Sequence, residues 1–97
     1  MLASFSIVPV GAGEELKEYV ADIVRLIAAS GMDYRLGSME TTVEGDPDRV
    51  WDLIRRCHER MAVLAPRVLT HIAIDDRKNA AGRLNGKVRD VEDLLRP

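Results

Sequence analysis

The most chemically suggestive part of the sequence is an alternating polar row within METTVEGDP, residues 39–47. Glu40, Thr42 and Glu44 are spaced two residues apart, so their side chains share one face if the segment is a β-strand. Two carboxylates and a hydroxyl on one face would select a cationic or amine-bearing ligand rather than a phosphate. The alternative is a solvated strand face or the rim of a subunit contact, and the residues alone leave both interpretations open.

The other reactive side chains are isolated in the sequence. Cys57 is the only cysteine, so no intrachain disulfide can form, and we predict a small buried hydrophobe rather than a nucleophile. His58 and His71 are the only histidines, and neither shows the spacing of metal ligands. We therefore interpret both histidines as structural and predict no metal site.

Asp75 and Asp76 form the one pair of adjacent carboxylates that could suggest metal binding or acid–base chemistry. Adjacent residues of a strand point to opposite faces, so the pair cannot chelate a metal from one side if the strand continues. A strand end with an ion pair to Arg77 or Lys78 is the favoured interpretation. Because no nucleophile–base pair is visible, we predict no catalytic residues and no cofactor.

Hydrophobic periodicity predicts the elements that must position the polar row. They are a strand at 2–8, a helix at 14–30, two short strands within 33–45, a helix from 47 to 65, a strand at 67–75 and a final helix at 87–97. Glu14 and Glu15 are placed in the first turn of the first helix, where the helix dipole favours negative charge. Gly37 and Ser38 are the predicted two-residue hairpin turn, and residues 76–86 are a predicted loop.

Local residue preferences define both ends of the second predicted helix. Asp46 is predicted to be the N-cap and Pro47 the first helical residue, where its missing N–H breaks no hydrogen bond. Pro66 ends the same helix. The segment therefore leads directly from the polar row into a well-defined helix.

The element order predicts an α+β fold, a ferredoxin-like β-α-β-β-α-β sandwich with a four-stranded antiparallel sheet and an extra C-terminal helix. We expect one domain over residues 1–97. Two helices would cover one sheet face and leave the other open for a ligand or another subunit. Leu69, Ala73 and Val8 on that face favour oligomerisation, whereas Ser4 and Ser6 would extend the polar row into a pocket.

Composition excludes several classes of function. The 97 residues carry a net charge of −2, and the richest basic stretch, residues 77–89, is flanked by acidic residues, so nucleic-acid binding is not expected. The N-terminal segment alternates and lacks the basic region of a signal peptide. No apolar run approaches the roughly 20 residues of a membrane span. We therefore expect a cytoplasmic protein with no membrane partner.

Three stretches, SFSIVPVG, SGMDYRLGSMETTVEGD and RVLTHIAIDDRK, resemble the small thiamine-binding protein family, also called the MTH1187/YkoF-like family. The pattern covers nearly the whole chain in the same order, and TxxEGD together with IDDR is its specific part. The resemblance implies a ferredoxin-like fold, homodimers or homotetramers formed through the open sheet faces, and binding of thiamine or its hydroxymethylpyrimidine moiety without a known reaction. Carried over by motif, Ser6, Glu40, Thr42 and Glu44 are the candidate ligand-binding residues.

Three hypotheses follow for the function. The first is a non-enzymatic, oligomeric protein that binds a small cationic molecule, with Glu40 or Glu44 supplying charge and Ser6 and Thr42 supplying hydrogen bonds. The second is a structural or interaction module whose open sheet face serves only in oligomer assembly. The third, an enzyme of the same fold, is the least favoured because no catalytic constellation is visible.

Overall fold

The computed structural model describes residues 1–11, 13 and 16–97. In chain order the elements are β1 (Leu2–Val10), α1 (Lys17–Ala29), β2 (Asp33–Leu36), β3 (Thr41–Glu44), α2 (Pro47–Leu64), β4 (Arg67–Asp75) and α3 (Arg83–Leu95). The strands form an antiparallel sheet in the order β2-β3-β1-β4. This arrangement confirms the predicted α+β, ferredoxin-like architecture.

The core lies between α1, α2 and one face of the sheet. Along β1 the side chains alternate as predicted, since Ala3 and Phe5 are buried whereas Ser4 and Ser6 are only partly covered on the opposite face. The core is mainly aliphatic and includes Ile23, Ile27, Val43, Val50, Leu53, Ile54, Cys57 and Met61. Burial of these side chains is what holds the helical layer against the sheet.

The predicted start of α2 is confirmed in position but not in its side-chain contact. Asp46 is the N-cap residue and Pro47 begins the helix, yet the Asp46 side chain makes no capping hydrogen bond. The Asp46 carbonyl accepts the first intrahelical bond from the N–H of Val50 at 2.9 Å. The corresponding prediction for α1 concerned Glu14 and Glu15, which lie outside the described residues.

The tip of the β2–β3 hairpin differs from the prediction by one residue. Leu36 and Thr41 are the last assigned pair, and the Gly37 N–H donates to the Glu40 carbonyl at 2.9 Å. Ser38 and Met39 therefore form the tip, rather than Gly37 and Ser38. A Cβ at position 37 would lie 2.6 Å from the Glu40 carbonyl oxygen, which explains the glycine at this position.

The last helix begins four residues earlier than predicted, at Arg83 instead of Lys87. Asn85 and Gly86 are weak helix formers, so local propensity favoured a loop there. A tertiary contact reverses that preference, because the carboxylate of Glu44 accepts hydrogen bonds from the backbone N–H groups at the start of α3. The first turn of α3 thus lies against the sheet face that the sequence left open.

Candidate functional site

The two strands beside β1 pair with it over different lengths. β4 pairs with all of Leu2–Val10, but β3 pairs only with Leu2–Phe5. Beyond Phe5 the β2–β3 hairpin turns away from β1 and leaves a gap of about 160 Å³, here called the edge cleft. It is lined by Phe5, Ser6, Ile7, Val8, Pro9, Leu16, Val20, Ile23, Val24, Leu36, Gly37, Ser38, Met39, Glu40 and Thr41.

The backbone of Ile7 faces this edge cleft. Met1 and Gly45 exchange two hydrogen bonds, at 2.8 and 3.1 Å, on the side of β1 that faces β3. Hydrogen-bonding direction alternates along a strand, so Ala3, Phe5 and Ile7 present their N–H and C=O groups to that same side. β3 receives those of Ala3 and Phe5, but none of residues 1–11, 13 and 16–97 bonds those of Ile7.

Two neighbouring residues keep the gap open. Continuation of the β1–β3 register would place Met39 opposite Ile7, but the Met39 side chain is 86% exposed and stands at the hairpin tip. Pro9, the next residue directed toward the cleft, has no N–H to offer a pairing strand. The edge cleft is therefore a vacant strand position with one free donor–acceptor pair.

Polar groups lie where β1 and β3 separate. Continuation of the register would pair Ser6 with Glu40, and both residues line the edge cleft. The hydroxyl of Ser4, on the same sheet face, donates a hydrogen bond to Oε2 of Glu40. This contact orients the carboxylate and leaves its remaining lone pairs for another donor.

The wall opposite β1 is apolar and comes from α1 and its N-cap residue, Leu16. Leu16, Val20, Ile23 and Val24 line it, and the side chain of Val20 is 42% exposed. The predicted helix at 14–30 includes these residues, but the sequence analysis did not identify them as the wall of a cleft.

The rest of the predicted row does not join the edge cleft. Thr42 is half-buried on the same sheet face, opposite Ser4 on β1 and Arg35 on β2, and does not line the cleft. Glu44 lies at the far end of the row, where it accepts from the Arg83 N–H at 2.8 Å and the Leu84 N–H at 3.1 Å. The structure thus brings Ser6 and Glu40 together and separates them from Thr42 and Glu44.

Polar contacts hold α3 against the sheet around Glu44. A guanidinium nitrogen of Arg35 donates to Asn85 Oδ1, and Lys87 Nζ donates to Asp75 Oδ2 at 2.6 Å. The hydrogen bond from Lys87 lowers the pKa of the Asp75 carboxyl below its ordinary value. The predicted ion pair at the end of β4 therefore exists, but its partner is Lys87 rather than Arg77 or Lys78.

Cys57 and His58 have the structural surroundings that the sequence predicts, whereas His71 is exposed on β4. Cys57 is fully buried, and burial raises the pKa of its thiol to about 11, which disfavours the nucleophilic thiolate. Nδ1 of His58 lies 2.6 Å from Oγ1 of Thr70 in a hydrogen bond between α2 and β4. Within the described residues there is no cluster of three potential metal ligands. The helices in that part of the chain are also too short or too polar to span a bilayer.

The chain matches a family model over residues 3–92, and the family is described as thiamine-binding protein. This chain belongs to the thiamine-binding protein family. It is 36% identical to the UPF0045 protein Mb1933 of Mycobacterium bovis, across 100% of this chain and 97% of the relative. It is 31% identical to the UPF0045 protein YqgV of Bacillus subtilis, across 99% of this chain and 98% of that protein.

Solved structures show the same fold. Protein MJ1052 of Methanocaldococcus jannaschii superimposes with a TM-score of 0.87 at 24% identity, covering 95% of both chains. A Bacillus cereus domain of unknown function, DUF77, gives 0.79 at 30% identity over 90% of this chain and 85% of that one. A Thermotoga maritima protein proposed to act in thiamine biosynthesis or salvage gives 0.82 at 24% identity, over 93% and 96%.

Proposed function

We propose that this member of the thiamine-binding protein family is a non-enzymatic protein that binds thiamine, or its hydroxymethylpyrimidine moiety, in the edge cleft. The observation that carries the proposal is the free N–H and C=O pair of Ile7 in a cleft that Glu40 also lines. The whole chain, residues 1–97, would act as one binding domain in the cytoplasm. A free cysteine at position 57 suits that reducing compartment.

Hydrogen-bond complementarity supports an aminopyrimidine as the ligand. In an aminopyrimidine, a ring nitrogen acceptor lies next to an exocyclic amino donor. A strand residue with a free edge offers the reverse pair, an N–H donor and a C=O acceptor on the same side. The ring edge would therefore take the place of the missing strand at Ile7, as an extended peptide does when it adds to a sheet.

Charge and size support the same choice. Glu40 would accept a hydrogen bond from an amino group or lie near the positive charge of a thiazolium ring. Most of the edge cleft is apolar, with Val20 and Leu16 available to contact the faces of a ring. Its volume of about 160 Å³ is below the ~300–1,000 Å³ usual for drug-sized ligands, so one ring fits better than two fused ones.

The proposed active form is a homodimer or homotetramer assembled through the sheet face opposite α1 and α2. Val8 and Leu69 lie side by side on that face and are 38% and 40% exposed. Apolar side chains exposed in this way favour contact with another subunit. The same two residues support the second candidate, an interaction module whose sheet face serves only in oligomer assembly.

The test is isothermal titration of the purified protein with four small molecules. They are thiamine, 4-amino-5-hydroxymethyl-2-methylpyrimidine, the same pyrimidine without its amino group, and the hydroxyethyl-thiazole half of thiamine. We expect saturable binding of the first two and none of the last. Loss of the amino group removes the hydrogen bond to the Ile7 carbonyl and should weaken binding about tenfold, or ~1.4 kcal/mol.

A flat trace with all four molecules, from a protein shown to be folded and oligomeric by light scattering, would favour the interaction module. Equal affinity for the pyrimidines with and without the amino group would contradict recognition by Ile7. Chemical-shift changes at the amide of Ile7 on titration would locate the bound ligand independently of any substitution.

A further inference from the structure

One large apolar side chain at the opening of the edge cleft does not take part in the core. Met39 stands at the tip of the β2–β3 hairpin and is 86% exposed, yet it lines the cleft. Among the described residues, the core cluster and the apolar side chains packed against it do not include Met39. A single exposed apolar residue is common on protein surfaces. The position of this one beside a candidate ligand site is what gives it a further meaning.

The strand register places Met39 next to the proposed ligand. Continuation of the β1–β3 pairing brings position 39 opposite Ile7, whose N–H and C=O are free. A ring that hydrogen-bonds to Ile7 through its edge would therefore lie between β1 and the hairpin tip. Methionine is unbranched, turns about three side-chain bonds and has a polarisable sulfur that packs well against aromatic rings. Its side chain is thus suited to cover a ring held in this gap.

Two other exposed apolar side chains surround the same opening. Val20 of α1 is 42% exposed and Leu36 of β2 is 55% exposed, and both line the edge cleft. With Met39 they form an apolar rim that comes from three separate parts of the chain. Such a rim favours a ligand with an apolar ring face, since the ring would remove these side chains from water.

Met39 is also the sulfur atom most accessible to an oxidant. The chain has four methionines and one cysteine. Met61 and Cys57 are fully buried, Met32 is 8% exposed, and Met1 is partly buried against the core. Burial also raises the pKa of the Cys57 thiol to about 11, which suppresses the thiolate that peroxides attack. A peroxide in solution therefore meets the thioether of Met39 first.

We propose that Met39 covers the ligand bound in the edge cleft, and that oxidation of its thioether by hydrogen peroxide weakens ligand binding. This inference rests on the proposed function, because it concerns the same cleft. In the reaction the sulfur lone pair attacks one peroxide oxygen and the O–O bond breaks. The leaving hydroxide takes up the proton of the transferred oxygen and becomes water. Sulfur loses two electrons, peroxide gains them, and the product is methionine sulfoxide.

The sulfoxide fits the cleft less well than the thioether does. It is polar and chiral, whereas the thioether is apolar. A ring covered by Met39 would press the new S=O group between the ligand and an apolar wall that includes Leu16 and Val20. Because burial of an unpaired polar group costs free energy, the oxidised side chain should stay in water and leave the ring uncovered. In the other direction, a bound ligand hides the sulfur and should slow its oxidation.

The first test measures the oxidation rate of each methionine by peptide mass spectrometry. The protein is treated with hydrogen peroxide alone and with saturating 4-amino-5-hydroxymethyl-2-methylpyrimidine, a ligand that contains no sulfur. In the free protein we expect Met39 to react at least ~10-fold faster than Met61. The pyrimidine should slow oxidation of Met39 at least ~5-fold and leave the rate at Met1 unchanged, so Met1 is an internal control.

The second test measures affinity for the same pyrimidine by titration calorimetry, after catalase has removed the peroxide. Oxidation should raise the dissociation constant about tenfold. Met39→Leu keeps an apolar cover without an oxidisable sulfur, so it should bind within about threefold of the wild type and lose its sensitivity to peroxide. Met39→Gln, which is polar and of similar length, should reproduce the weak binding of the oxidised protein without any peroxide.

A matched control separates the cleft from the rest of the surface. Val63 of α2 is 79% exposed and does not line the edge cleft. The double variant Met39→Leu/Val63→Met therefore moves the exposed methionine away from the proposed site. Its new methionine should be oxidised readily, and affinity for the pyrimidine should not change.

The outcomes distinguish this inference from the function on which it rests. If the pyrimidine binds equally well before and after oxidation of Met39, the inference is wrong and the proposed function stands. Oxidation of Met39 in the free protein at the slow rate of Met61 would assign the side chain to a subunit contact and would also overturn the inference. No binding of the pyrimidine by the untreated protein would overturn both.

Discussion

Glu40 directly precedes β3 and Glu44 ends it, four residues later on the same side of the sheet, but the fold uses the two carboxylates differently. Glu44 accepts two backbone hydrogen bonds from the start of α3, so its carboxylate is engaged within the chain. Glu40 accepts from the Ser4 hydroxyl, lines the edge cleft and receives no backbone hydrogen bond on its carboxylate from the described residues. Two glutamates at strand spacing can therefore have different roles, since Glu44 caps a helix and Glu40 is a candidate ligand-binding residue.

The reason for the difference lies in what stands opposite each residue. At Glu44 the sheet is continuous from β2 to β4, and α3 begins directly above it. At Glu40 the hairpin is turning away from β1, and no strand fills the position next to Ile7. Four substitutions test this division, in order of decreasing expected effect.

The largest effect is expected from filling the edge cleft. Val20→Trp places a large side chain in the cleft from α1, where Val20 is already partly exposed, so the fold should tolerate it. We expect thiamine or pyrimidine affinity to fall at least ~100-fold, or about 2.7 kcal/mol, because the ligand and the indole compete for the same volume. Titration calorimetry measures the loss. Val91→Trp, at an exposed site on α3, is the control, and equal affinity in both variants would place the ligand elsewhere.

The next effect concerns α3. Glu44→Ala removes an ionised acceptor from two backbone N–H groups, and should lower the free energy of opening α3 by about 2 kcal/mol. Ligand affinity should not change. Amide exchange over residues 84–95 measures the opening, and Glu44→Gln, which keeps one acceptor oxygen, should give an intermediate value. Unchanged protection of α3 would show that the contacts of Leu84, Asn85 and Lys87 hold the helix without Glu44.

A smaller effect is expected at the cleft carboxylate. Glu40→Gln keeps the shape but removes the charge, and should weaken binding of an amine-bearing or cationic ligand about tenfold, or ~1.4 kcal/mol. Thermal stability should stay close to that of the wild type. Glu92→Gln, on the exposed side of α3, makes the same change away from the site. If Glu40→Gln instead disrupts the oligomer with no change in intrinsic affinity, the polar row is the rim of a subunit contact.

The smallest effect is expected at the residue between the two carboxylates. Thr42 does not line the edge cleft, and its side chain makes no hydrogen bond to α3, so Thr42→Val should change both ligand affinity and α3 protection by less than ~0.5 kcal/mol. Calorimetry and amide exchange on the same sample check both values. A large loss of affinity would extend the binding site along the sheet face beyond the edge cleft.

The prediction of the fold from sequence succeeded where periodicity is strong. The alternation from Ala3 to Ile7 and the Asp46–Pro47 helix start are local signals, and the structure confirms both. The start of α3 was wrong because Asn85 and Gly86 carry weak helical propensity, whereas the group that caps the helix lies 39 residues earlier at Glu44. The family was recognised from motifs that extend along the whole chain.

The candidate site was predicted only in part. The alternation of residue types placed Ser6 and Glu40 on one face of the sheet, but it also grouped Thr42 and Glu44 with them. Alternation shows which face a side chain lies on, but not where along a strand the pairing with its neighbour ends. The sequence pattern likewise did not show that Leu16 and Val20 form a cleft wall. An apolar helix face packs a core and lines a cleft with the same residues.

The sequence by itself determined the element order, the two faces of the sheet, the aliphatic core and the family. Those features depend on local periodicity and on residue types, which are written directly in the chain. The tertiary structure decided that β1 extends beyond the end of β3 and that β4 lies at an edge of the sheet. It also decided that Glu44 caps α3 while Glu40 lines a cleft. These features depend on which segments meet in space, because a carboxylate or a backbone edge acquires its role from the group placed opposite it.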